Sequence, residues 1–204
     1  MPDASAIPEK KSPGAEMRRR ILDAAALLLA ENGYQATTLR GIADAAGLKA
    51  GSIYYHFASK EQITVEVLNE GVEYVSAAVS RAVEDLPADA DGRTVLKAAI
   101  EAHLSALSAH KAYTRASIRC FSMVPQEIRD QTIDIRRDFD GIWLDTLKRA
   151  RAQGALTGPH TAAADLREVH RIILGALNWA IEKRGGPSRR DHALSDTLLS
   201  LLSA

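Results

Sequence analysis

Thr38-Leu39-Arg40-Gly41-Ile42-Ala43-Asp44-Ala45-Ala46-Gly47-Leu48-Lys49-Ala50-Gly51-Ser52-Ile53-Tyr54-Tyr55-His56-Phe57 is the most informative run of the chain. Thr38 can cap a short helix whose inner face is Leu39, Ile42, Ala43 and Ala46. Gly47 closes that helix at low steric cost. A second short helix is predicted from about Lys49 to Phe57. Helix, glycine turn, helix is the helix-turn-helix pattern. On a wheel of about 100° per residue started at Lys49, Ile53, Phe57 and Ala50 fall at about 40°, 80° and 100°. They form the apolar side. Gly51, Tyr55 and Ser52 fall opposite, with Tyr54 on the shoulder. A face of glycine and hydroxyls can press into a major groove and donate to phosphates and base edges. The plain alternative is a helical corner whose tyrosines are amphipathic surface.

Outward from this run the chain reads as helix. Ser12 and Pro13 form a helix-start pair. Met17, Ile21, Ala24, Ala25, Leu28 and Leu29 then recur at helical spacing, and Asn32-Gly33 supplies a terminator. Ser59 and Gln62 make a capping box that opens a helix to about Glu84. Further helices are predicted at about 94–109, 112–122, 126–153, 162–184 and 189–203. Pro125, Gly154, Gly158-Pro159 and Gly185-Gly186-Pro187 punctuate them. No sustained period-2 alternation occurs, so no strands are expected. The fold class is all-α: residues 1–13 a disordered arm, 14–60 a helix-turn-helix domain, 61–204 a larger helical bundle.

Composition narrows the functional classes. The 204 residues carry 26 Lys and Arg against 26 Asp and Glu, so the whole molecule is neutral. Lys10, Lys11, Arg18, Arg19 and Arg20 concentrate charge near the start, a local patch that attracts phosphate. The longest apolar run, Ala24 to Ala30, is far short of the ~18 residues a spanning helix needs. No secretion signal opens the chain and Cys120 is alone, which suits a reducing cytoplasm. No membrane role and a cytoplasmic location are therefore expected.

The residues Thr37 to Leu48 and Gly51 to Glu61, with Ala25, Leu28, Gly33 and Tyr34 upstream, resemble the DNA-binding signature of the TetR (tetracycline repressor) family of bacterial regulators. The match runs from about Arg20 to Leu68. It departs at Lys49-Ala50, where Ser-Lys is common, and at Gly41, where a polar residue is usual. The resemblance implies that Thr38, Tyr54, His56 and Lys60 bind phosphates. It implies that Lys49, Ala50, Gly51, Ser52 and Tyr55 face base edges, with Arg40 on either. Arg18, Arg19 and Arg20 either hold flanking backbone or form a solvated helix start. The family's C-terminal helices dimerise around a ligand pocket, which implies a homodimeric repressor of a double-stranded DNA operator, released by a small molecule. An activator of the same fold, or a helical protein-interaction module, are the alternatives.

On that resemblance, the expected dimer interface comprises Leu166, Ile173, Leu177 and Ile181 on one helix and Leu194, Leu198 and Leu201 on the next. An intrachain core would show the same stripes. Candidate pocket residues are His103, Leu107, Tyr113, Arg119, Phe121, Trp143, Leu147, His170, Leu174 and Asn178. The segment Leu174-Gly175-Ala176-Leu177-Asn178-Trp179 looks like one found in TetR-type regulators of lipid metabolism. It implies a fatty acid or acyl-CoA effector, whose phosphates Arg115 and Arg119 are available to meet. No Cys-x-x-Cys, His-Glu-x-x-His, Gly-x-Ser-x-Gly or Gly-x-Gly-x-x-Gly spacing occurs, so neither a metal, a cofactor nor an enzyme is expected.

Overall fold

The computed structural model describes residues 12–158, 164–184 and 189–203, with side chains at 164–179 and 193–202 in the last two segments. The expected arm at 1–11 and the side chain of Ile181 lie outside the described residues. Helices run α1 Pro13–Ala36, α2 Leu39–Ala45, a 3₁₀ helix Ala50–Tyr55, α3 Lys60–Glu84, α4 Gly92–Ala109, α5 Lys111–Cys120, α6 Gln126–Ala152, α7 Leu166–Arg184 and α8 Arg189–Ser203. No strand occurs among the described residues, and none of their helices is long and apolar enough to cross a membrane.

The helix ends have local causes. Ser12 Oγ accepts from the N–H of Ala15, with Pro13 at the first helical position. Gly33 takes φ 78° and breaks α1 before its nominal end. Ser59 Oγ accepts from the N–H of Gln62, and the Gln62 side chain returns to accept from the N–H of Ala58. Gly47 sits at φ 68°, where a Cβ is strained, and the Arg20 guanidinium donates to the neighbouring Ala46 carbonyl at 2.7 Å.

Two cores form. One joins Ile21, Leu29, Ile42, Ile53, Phe57, Ile63, Leu68, Ala116 and Cys120. The other joins Val79, Leu96, Ile100, Leu107, Trp143, Leu147, Ile173, Leu177 and Leu198. Their division does not fall at residue 60. The first half of α3 and Tyr113, Ala116 and Cys120 of α5 pack with the N-terminal helices, while Ile118 of α5 meets the bundle core. A long amphipathic helix can serve both cores, and α3 does. Gly71 permits this arrangement, because a Cβ there would stand 2.6 Å from the Tyr113 carbonyl oxygen on α5. Gly71→Ala is expected to destabilise the protein by at least ~2 kcal/mol through overpacking. Urea unfolding measures it, and an unchanged midpoint would show that α3 and α5 separate without loss.

Candidate nucleic-acid interface and effector site

The second helix of the motif is 3₁₀, not α, and is shorter than the expected Lys49–Phe57. Gly51 and Ser52 are weak helix formers, and Ile53, Tyr54 and Tyr55 crowd the preceding turn. At three residues per turn, side chains at i and i+3 eclipse. Gly51 therefore lines up with Tyr54, and Ser52 with Tyr55. Ile53 and Phe57 are fully buried against Ile42 and Ala43 and fix the element to α2. Ala50, placed on the inner side by the wheel, is exposed at the helix start. Lys49 stands at the N-cap with no side-chain cap bond. Tyr54 and Tyr55 are 61% and 87% exposed.

The other expected DNA contacts divide by their existing partners. Thr38 Oγ1 accepts from the N–H of Gly41 at 3.1 Å and so caps α2. A Cβ at Gly41 would approach that oxygen to 3.2 Å, a contact that a small shift of the Thr38 side chain relieves. Arg40 is exposed, and among the described residues its close acid is Asp44 at 3.9 Å. His56 is half-buried, edge-on to the Tyr55 ring at 5.1 Å. Lys60 is already engaged. Its ammonium donates to the carbonyls of Tyr34 and Thr37 and lies 3.9 Å from the Tyr34 ring centroid. That leaves one N–H for a phosphate.

Arg18, Arg19 and Arg20 brace the molecule from its surface. Arg18 pairs with Glu66 and lies over the Phe57 ring at 4.5 Å. Arg19 pairs with Glu70 at 2.6 Å, and Arg20 caps α2. Neither reading made from sequence anticipates this, because the acids of Arg18 and Arg19 lie 48 and 51 residues away along the chain and the Ala46 carbonyl lies 26 from Arg20.

In the bundle, His103, Leu107, Trp143, Leu147 and His170 are all buried and come together between α4, α6 and α7. The His103 and Trp143 ring centroids are 5.7 Å apart, and Trp143 stacks on His170 at 6.0 Å. Burial pushes both imidazoles down, His103 to about 3, so they are neutral. Leu174 and Asn178 are half-buried beside this core. Phe121 lies under the Arg136 guanidinium at 3.7 Å. Arg136 also donates to Ser117 Oγ, and burial lowers it to about 10. Neither Arg136 nor Phe139 is among the pocket candidates read from sequence, although their spacing with Trp143 puts all three on one face of α6.

Two expected pocket residues lie elsewhere. The Tyr113 hydroxyl donates to Asp23 at 2.6 Å and accepts from Arg19 at 3.1 Å. Arg119 donates to the carbonyls of Ala30 and Glu31, at the end of α1. Both tie α5 to α1. His110, at the α4–α5 junction, stacks between Tyr74 and Tyr113 and meets Glu70 at 3.0 Å. Arg115 is half-buried on α5. Cys120 is buried and its thiol is pushed up by that burial, so it is a poor nucleophile.

The expected dimer stripe is largely intrachain core. Ile173, Leu177 and Leu198 are buried, and Leu166 and Leu194 pack partly against them. Leu201 is 66% exposed, as are Ile172 at 66% and Trp179 at 54%. The outward apolar stripe of α7 is thus Ile172, Gly175 and Trp179. It is displaced by one residue from Ile173 because the core takes the neighbouring face.

The model of bacterial regulatory proteins of the tetR family matches residues 21–67, and that of the tetracyclin repressor-like C-terminal domain matches 89–193. The chain is 31% identical over 163 residues to the HTH-type transcriptional repressor KstR2 of Rhodococcus jostii, covering 79% of this chain and 78% of the relative. It is 28% identical over 189 residues to the fatty acid metabolism regulator protein of Bacillus subtilis, covering 90% and 92%. The crystal structure of the TetR family regulator PfmR from Thermus thermophilus superposes with a TM-score of 0.74 at 29% identity, covering 89% and 95%. The chain belongs to the tetR family of bacterial regulatory proteins. It is a helix-turn-helix transcriptional regulator and not an enzyme.

Proposed function

We propose that the protein is a repressor that binds a near-palindromic operator as a homodimer and leaves it when a small apolar acid, or its acyl-CoA thioester, enters the bundle. The observation that carries the DNA reading is the exposed Gly51-Ser52-Tyr54-Tyr55 surface, seated on the fully buried Ile53 and Phe57. Two such elements in a two-fold dimer reach successive major grooves about 34 Å apart, or a multiple of that. The exposed Ile172, Trp179 and Leu201 supply apolar surface for a two-fold contact. The name of the Bacillus subtilis relative favours a fatty-acid-derived effector.

The route from effector to DNA runs through α5. The cluster of Asp23, Arg19, Glu70, His110 and Tyr113 ties α5 to α1 and α3. An effector that binds one arrangement of α4 and α6 more tightly shifts α5 and with it the spacing of the recognition elements. Without that difference in affinity it shifts nothing.

Tyr54→Phe tests the contact face. The variant is expected to lose operator affinity by roughly 5- to 10-fold, the worth of one phosphate hydrogen bond, while keeping the wild-type dimer. Fluorescence anisotropy at matched salt measures it. Equal affinity would remove Tyr54 from the interface.

A further inference from the structure

Three buried rings in the bundle have hydrogen-bonding capacity that the protein leaves unused. His103 is 2% exposed, and neither Nδ1 nor Nε2 has a partner. Trp143 is 0% exposed with Nε1 unpartnered, and His170 is 5% exposed with Nε2 unpartnered. The nearest acid, Asp140, stands 3.9 Å from His170 Nε2, beyond hydrogen-bond reach. Buried polar atoms without partners are rare, and three such rings packed side by side are rarer still. Of the three, His170 reaches an opening, and Trp143 and His103 lie behind it in the core. Between α6 and α7 lies a groove of about 450 Å³ whose wall includes His170. Its wall also carries Leu144, Asp140, Arg137, Arg167 and Arg171, of which Arg137 pairs with Asp134 and Arg171 with Glu168.

The chemistry of the rings limits what they can recognise. Each neutral imidazole offers one N–H and one lone pair, and the indole offers one N–H. A hydroxyl both donates and accepts, and an oxo group accepts from any of the three. A plain hydrocarbon end would leave every nitrogen unpaired. A carboxylate would have to be buried there beside neutral rings, whereas the wall of the groove offers it guanidinium groups.

We propose that His103, Trp143 and His170 recognise an oxygen atom at the buried end of the effector. That effector is an apolar acid, or acid derivative, carrying a hydroxyl or oxo group remote from its anionic end, which stays in the arginine-lined groove. This rests on the effector reading above and narrows it, since an unsubstituted fatty acid becomes the weaker ligand.

Calorimetric titration of the full chain with decanoate, ω-hydroxydecanoate and an oxodecanoate tests it. The two oxygenated acids are expected to bind about tenfold more tightly than decanoate. In His103→Leu and His170→Leu proteins, checked by thermal melting, that preference is expected to collapse while decanoate still binds. Equal affinity for all three acids in the wild-type protein, a comparison that needs no variant, would overturn the ring assignment and leave the acid effector standing. A preference that survives both substitutions would overturn it equally. No binding by any of the acids or their CoA thioesters would overturn the effector reading and this inference together.

Discussion

Acidification is expected to destabilise this protein strongly from about pH 6 downward, with His103 as the main cause. Its imidazole is packed against Phe139 and Trp143, feels His170, and has no acid in contact. Burial depresses its pKa from 6.5 to about 3. The unfolded chain therefore binds a proton that the folded chain refuses between those two values. The stability that depends on the neutral ring is fully present above about pH 6.5 and is lost as pH falls toward 3. At about 1.4 kcal/mol per unit the loss reaches up to ~5 kcal/mol, a large part of the 5–15 kcal/mol a typical domain has. His170 acts in the same direction, with Asp140 partly opposing it. Denaturant unfolding at neutral pH and near pH 4 measures the loss. His103→Leu should lose several kcal/mol less than the wild type on acidification. It should also be more stable at neutral pH, because it removes a buried ring with two unpaired nitrogens. Equal acid loss in both proteins would place the sensitive group elsewhere.

Gly51→Asp is expected to weaken operator binding by roughly 100-fold or more without touching the fold. A Cβ at Gly51 meets nothing within 4 Å, so the free protein has room for the side chain. The position is exposed, and it aligns with Tyr54 on the 3₁₀ helix. A carboxylate there would face the phosphate-lined groove, where like charges repel and the added side chain holds the backbone away. The expected loss is roughly 100-fold or more at moderate salt, about 3 kcal/mol. The melting temperature and the dimer should stay as in the wild type. Retained affinity would mean that this face does not enter the groove.

Features set by near neighbours along the chain were the legible ones. Ser12-Pro13, Asn32-Gly33 and Ser59-x-x-Gln62 mark helix ends through bonds that span a few residues, and they do so in the structure. The Lys49–Phe57 element was misjudged because a wheel of about 100° per residue presumes an α-helix. A glycine followed by a β-branched and aromatic run tightens it to 3₁₀ instead. Long-range partners were not legible. Nothing near Tyr113 or Arg119 reveals that α5 turns both toward α1 rather than into the bundle. On α7 two apolar stripes lie side by side, and periodicity alone does not say which one the core takes. The buried set is Ile173 and Leu177, and the exposed set is Ile172 and Trp179. The His103–Trp143–His170 cluster draws on α4, α6 and α7. Its residues were named as candidates, while their contact and their lack of partners belong to the tertiary structure.

The most direct test of the regulator reading is a selection of sheared genomic DNA from the source organism by the purified protein at two salt concentrations, followed by sequencing. Neutralising several phosphates makes affinity fall steeply with salt, whereas an apolar helix-in-groove contact with a protein partner would be much less sensitive. Recovery of a near-palindromic sequence, its enrichment falling steeply at the higher salt, is the expected result. No enrichment over bulk DNA, from protein stripped of bound small molecules by unfolding and refolding, would contradict it.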